Sequence, residues 1–155
     1  MYSKILVPLD GSPFSEKALE HASELARGTD AEIILLEAVQ DSLAAVPEAR
    51  YRVSLSQVYG SAIRGRKYLE GVAQRIRRQG TRVRCDVMEG SPRDAILSVA
   101  HRENVDVIVM STHGHAGLAR KIMGCLAEKL AVTTHRPFIL VKAGKTAARE
   151  VAEAA

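Results

Sequence analysis

Residues 105–117 read Val-Asp-Val-Ile-Val-Met-Ser-Thr-His-Gly-His-Ala-Gly, an apolar run that empties into a glycine-bearing segment. The run from Val105 to Met110 has the length of a strand buried on both faces. The segment from Ser111 to Gly117, continued at Gly124-Cys125, leads into a helical pattern. Glycine lets main-chain N–H groups approach an anion closely, and the unpaired N–H groups of a helix start favour negative charge. Strand-to-helix junctions of parallel α/β sheets bind phosphates for these two reasons. The segment therefore points to a ligand and not only to a turn.

The alternation of strand and helix extends to both ends of the chain. Lys4 to Leu9 (KILVPL) is a short apolar strand, followed by the turn residues Asp10-Gly11-Ser12-Pro13. Ser12 as cap and Pro13 at the first helical position predict a helix from Pro13, with Ala18, Leu19, Ala22, Leu25 and Ala26 on one face and Gly28 as a left-handed stop. Residues 32–39 (EIILLEAV) are apolar on both sides, the mark of a parallel strand covered by helices. Residues 40–58, which include Pro47, read as a loop or short helical excursion. Residues 61–79 read as a long helix with an apolar stripe of Leu69, Val72 and Ile76, closed by Gly80.

A third strand over residues 82–88 is followed by Ser91-Pro92, a second cap-plus-proline device that Asp94 completes. Residues 106–111 form the fourth strand. A fourth helix carrying Ile122, Met123, Leu126, Ala127, Leu130 and Ala131 on one side leads through Arg136-Pro137 to a last strand, Phe138 to Lys142. The expected organisation is one domain over residues 1–143 and a polar tail over residues 144–155. Its order implies right-handed crossovers and an open, doubly wound parallel α/β sheet with helices on both faces.

Composition narrows the function classes. A chain of 155 residues encloses a core without disulfides, and Cys85 and Cys125 read as free thiols. No apolar run is long enough to span a bilayer, and the start of the chain lacks the features of a secretory signal, so a cytoplasmic location is expected. The net charge of +4 comes largely from basic residues between Arg64 and Arg84 on one helix and its exit. With aromatic content of 4% and no Trp, stacking platforms for single-stranded nucleic acid are poorly supplied, and a solvated helix face is the preferred reading.

In a doubly wound sheet, ligands sit outside the carboxyl ends of the strands where the strand order reverses. This selects Leu9-Asp10-Gly11, Ala38-Val39-Gln40 and Ser111 to Gly114, with Gly124-Cys125 at the start of the last helix. Asp10 suits a ribose hydroxyl, main-chain atoms near Ala38 an adenine edge, and the glycine segment the phosphates.

Taken together, these landmarks resemble the universal stress protein family: Lys4-Ile5-Leu6-Val7-Pro8-Leu9-Asp10-Gly11-Ser12, Glu89-Gly90-Ser91-Pro92, Asp106-Val107-Ile108-Val109-Met110, Gly124-Cys125-Leu126-Ala127-Glu128-Lys129 and Pro137-Phe138-Ile139-Leu140-Val141. Their order and spacing are specific where each alone is weak. The resemblance implies a five-stranded sheet in the order 3-2-1-4-5, as in adenine nucleotide alpha hydrolase-like folds. It also implies a homodimer that pairs its last strands, Phe138 to Lys142, and, in one branch, binding of ATP or a related adenine nucleotide with Mg carried by the nucleotide. That branch uses Gly-x2-Gly-x9-Gly followed by Ser or Thr. Here the pattern falls on Ser111, Gly114, Gly124 and Cys125, with both spacings kept and the first and last residues changed. The candidate nucleotide contacts are Pro8, Leu9, Asp10, Ala38, Met110, Ser111, His113, Gly114, Gly124, Cys125 and Leu126.

Rival readings stand beside these. His113 and His115 form an H-x-H pair, but no third ligand is placed, so no protein metal site is expected. Cys125 at a helix start reads as a redox thiol or, more simply, as a small residue in a serine position. Gly124 serves close helix packing or ligand approach. No catalytic triad can be assembled and no Gly-Lys-Ser/Thr ending is present, so hydrolysis is expected to be slow or absent. The alternative function is a nucleotide-free dimeric interaction module of the same fold or, less favoured, a nucleic-acid-associated protein through its basic helix; association with membranes is not expected.

Overall fold

The computed structural model describes residues 1–39, 55–113, 126, 129–130 and 132–143. Five strands, β1 (Lys4–Leu9), β2 (Glu32–Val39), β3 (Val83–Glu89), β4 (Val107–His113) and β5 (Phe138–Ala143), form one parallel sheet in the order β3-β2-β1-β4-β5. The doubly wound α/β architecture expected from the alternation is the one observed. Helices α1 (Ala18–Thr29), α2 (Leu55–Arg77) and α3 (Pro92–Arg102) connect the strands, and residues 126, 129–130 and 132–134 are helical as well.

Two apolar layers fill the space between sheet and helices. On one face Ala18, Ala22 and Ala26 of α1 and Leu69, Val72 and Ile76 of α2 pack on Ile5, Val7, Ile33, Leu35 and Val109. On the other, Ala95, Ile96 and Val99 of α3, with Leu130, pack on Leu6, Ile34, Leu36, Ile108 and Met110. Successive side chains of a strand point to opposite faces, so a strand covered on both sides must be apolar at every position. The run Ile33-Ile34-Leu35-Leu36 meets that demand.

The amino ends of the strands are clamped by charge. Asp106 Oδ2 accepts the main-chain N–H groups of Ser3 at 2.7 Å and Lys4 at 2.9 Å, which ties β1 to the entry of β4 and holds its carboxyl below the usual carboxylate range. Glu103, at the end of α3, pairs with Arg84 at 2.6 Å, Arg102 at 3.0 Å and Lys4 at 3.6 Å. Arg102 also pairs with Asp86.

Several element boundaries correct the sequence reading. The first helix does not start at Pro13: a turn occupies residues 13–14, a 3-10 helix spans Ser15–Lys17, and α1 follows. Its left-handed stop is Asp30, with φ 55°, while Gly28 is helical. α2 begins at Leu55, so residues 55–58 belong to a helix and not to the preceding loop. β4 runs on to His113 because β5 continues to pair with it through Thr112↔Lys142 and His113↔Ala143. The Ser91 cap is as expected: its side chain accepts the Asp94 N–H, with Pro92 in the first turn. Residues 40–54, most of the expected fourth helix and residues 144–155, the expected tail, lie outside the described residues.

Candidate functional site

Pro8 locates the opening in the sheet. Just before β1 the Ser3 carbonyl accepts the Glu32 N–H of β2, and at its first residue the Lys4 carbonyl accepts the Asp106 N–H on the other side. Main-chain groups alternate in direction along a strand, so those of Leu6 and Pro8 also turn toward β4. Proline has no N–H to give. Pairing of β1 with β4 covers Ile5↔Val107 and Leu6↔Ile108, whereas pairing with β2 continues to Leu9↔Glu37. The ladder between β1 and β4 thus ends before Pro8, at the reversal of strand order, where sheets of this kind form a ligand crevice between the carboxyl ends.

Beyond Leu9 the chain turns sharply. Gly11 adopts φ +80°, a conformation that favours glycine, and the Ser12 N–H donates to Asp10 Oδ1 at 2.9 Å. The buried Ser15 fixes the turn from below: its hydroxyl accepts the Asp10 N–H at 3.3 Å and donates to the Ser12 carbonyl at 2.9 Å. Its own N–H donates to Ser12 Oγ at 3.2 Å. These bonds hold the exposed Asp10 carboxylate at the mouth of the crevice, where one oxygen bonds the turn.

The predicted contact residues divide by what they can present. Ala38 follows Glu37, the partner of Leu9, and so stands level with Asp10; its main chain turns toward β1. Leu9 and Met110 have side chains buried in the two apolar layers, leaving main-chain atoms for a ligand. Ser111 is 2% exposed, and its Oγ has no hydrogen-bond partner among the described residues. Leu126 packs against the layer beneath α3. His113 ends β4, so it belongs to the sheet and not to a loop. Gly114, His115, Gly124 and Cys125 lie outside the described residues.

A polar seam beside the crevice was absent from the sequence reading. Tyr68 of α2 donates its hydroxyl to Glu16 Oε1 at 2.9 Å, and Arg75 pairs with Glu16 Oε2 at 2.6 Å. Burial and the Glu16 bond push the Tyr68 phenol pKa upward. Glu37 at the end of β2 has a buried Oε2 without a hydrogen-bond partner among the described residues, and burial followed by repulsion from Asp10 raises its pKa above the ordinary carboxylate value. Gly65, in the middle of α2, was the available signal: a helix interior tolerates glycine at a cost, and here a Cβ would come within 3.0 Å of Glu37 Oε2.

Elsewhere the described residues offer little chemistry. They contain no group of three metal-ligating side chains and no helix long and apolar enough to cross a membrane. On α2, Arg66 reaches the Cys85 carbonyl and Arg77 the Val83 carbonyl and Glu70, while Arg64, Lys67 and Arg78 face solvent.

The comparisons with known proteins agree with this fold. The family model described as "Universal stress protein family" matches residues 1–142. Universal stress protein MJ0531 of Methanocaldococcus jannaschii is 31% identical over 146 residues, covering 94% of this chain and 85% of that protein. The solved structure of MJ0577, from the same organism, superposes with a TM-score of 0.74 at 25% identity and covers 94% of this chain and 99% of its own. A universal stress protein solved in complex with cAMP shares the fold, with a TM-score of 0.66 at 19% identity over 92% of this chain and 98% of its own. With the strand order, the Asp10 turn and a family match that runs from the first residue into β5, the chain belongs to the universal stress protein family.

Proposed function

We propose that this chain is an adenine-nucleotide-binding regulatory protein that holds ATP, with Mg carried on the phosphates, in the crevice between β1 and β4. The observation that carries the proposal is the ladder ended at Pro8 with Asp10 fixed at its mouth. An opening at the reversal of strand order is where sheets of this kind take ligands. Asp10 accepts ribose hydroxyls, main-chain atoms of Ala38 read the adenine edge, and N–H groups from Ser111 to Gly114 and at Gly124-Cys125 take the phosphates. The fold itself accommodates an adenine nucleotide in the relative solved with cAMP. Occupancy is the signal, with slow or no hydrolysis, in a cytoplasmic setting.

Self-association belongs to the same reading. β5 is an outer strand, with Leu140 51% exposed on it and Val132 77% exposed just before it. An apolar edge strand is a template for pairing, and a second copy is its partner here. Purified protein is expected to melt higher with millimolar ATP·Mg by mass action, and Gly124→Arg to abolish the shift. Mass spectrometry of small molecules released from the protein names the nucleotide. No thermal shift with ATP overturns the proposal in favour of a nucleotide-free dimeric module.

A further inference from the structure

We infer that Glu37 makes nucleotide binding proton-linked: a phosphate group entering the crevice drives proton uptake at this carboxyl, so affinity falls as the pH rises. The inference rests on the adenine-nucleotide reading above. It begins from the place of Glu37 at the carboxyl end of β2, in register with Leu9 on one side and Val87 on the other. Its side chain follows Ile33 and Leu35 toward α2, where Gly65 leaves room for it; a Cβ there would meet Oε2 at 3.0 Å and Cδ at 3.4 Å.

The described residues around it supply no charge to balance it. From the end of β1 it faces Asp10, a like charge. From α2 it faces Tyr68, whose hydroxyl is already donated to Glu16 of the 3-10 helix. The Arg75 guanidinium is likewise committed to Glu16 at 2.6 Å. Oε2 is buried and has no hydrogen-bond partner among the described residues. A carboxylate so placed lacks the donors that would compensate for lost water, and its neutral form is favoured. Burial and Asp10 accordingly lift its pKa.

Phosphates held beyond the end of β4 bring negative charge to the same end of the sheet as Asp10 and act in the same direction. Linkage is reciprocal: if the nucleotide raises the proton affinity of Glu37, protonation of Glu37 raises the affinity for nucleotide by the same factor. One fully coupled proton changes affinity by at most about tenfold per pH unit, above the ordinary carboxylate range.

Calorimetric titration of the full chain with ATP·Mg, in two buffers of different ionisation enthalpy, counts the protons taken up. Wild type is expected to take up more than Glu37→Gln, and the ratio of their affinities to fall as the pH rises. Ionisation of the nucleotide's own phosphates is common to both proteins and cancels. Adenosine, which carries no phosphate, is expected to show no difference between them. Equal proton uptake by the two proteins overturns the inference and leaves the nucleotide reading standing. ATP binding by neither overturns the nucleotide reading itself. Carbon NMR of the Glu37 carboxyl in wild type needs no variant to fold: its titration is expected to move to higher pH when ATP is added, and an unmoved titration also overturns the inference.

Discussion

Glu103 at the end of α3 accepts a hydrogen bond from Arg84 of β3 at 2.6 Å, joining a helix end to an outer strand of the sheet. Arg102 joins the same carboxylate at 3.0 Å, and the two guanidiniums hold its pKa down at about 2. A group depressed in the folded state stabilises above its unfolded pKa, and that stability is lost as the pH falls through the folded value. Both arginines are close to half exposed, so solvent screening limits the effect. Glu103→Gln is expected to cost about 1 kcal/mol at neutral pH. In urea unfolding, the gap between wild type and variant should close as the pH is lowered from the ordinary carboxylate range toward about 2. A pH-independent gap would assign the loss to packing.

Ser111→Ala removes a buried hydroxyl that bonds nothing among the described residues. Leaving such a group unpaired is costly and deleting it is not, so the variant is expected to be more stable by about 1 kcal/mol. Its main-chain N–H is untouched, and ATP affinity should stay within a factor of two or so. Chemical denaturation and the thermal shift with ATP measure the two effects separately. Lower stability with weaker binding would show that the hydroxyl has a partner.

Cys85 is buried in β3, and burial followed by the nearby Glu70 pushes its thiol pKa up to about 11. The nucleophile is the thiolate, so the folded protein should leave Cys85 unmodified during brief alkylation at neutral pH and expose it on unfolding in guanidinium. Peptide mass spectrometry resolves this site from Cys125. Modification of the native protein at the unfolded rate would contradict the burial.

What was legible in the sequence follows the range of the interactions involved. Ile33 to Leu36 and Ser91-Pro92 carry their structure locally, in apolar continuity and in a cap with proline, and both were placed correctly. Pro13 misled because Asp10, Ser12 and Ser15 bond one another across the turn and delay the helix. Gly28 lost the helix stop to Asp30, whose carbonyl and carboxylate both lie within reach of Arg82 from the next crossover. His113 reads as loop in the sequence because strand length depends on pairing, and its partner Ala143 lies thirty residues away in the chain. Glu37 was invisible for the same reason. A charged residue near the end of an apolar strand looks solvent-facing until α2 is laid over it.

The missing N–H of Pro8 also bears on how fast a ligand can enter. Two adjacent parallel strands with complete donors would zip together along their length, and an incoming molecule would have to wait for them to part. Here the stop is covalent. Beyond Leu6↔Ile108 the described residues of β1 and β4 form no bridge that would have to break on arrival. Association at this crevice is therefore expected to be limited by encounter and orientation and not by a slow opening of the sheet.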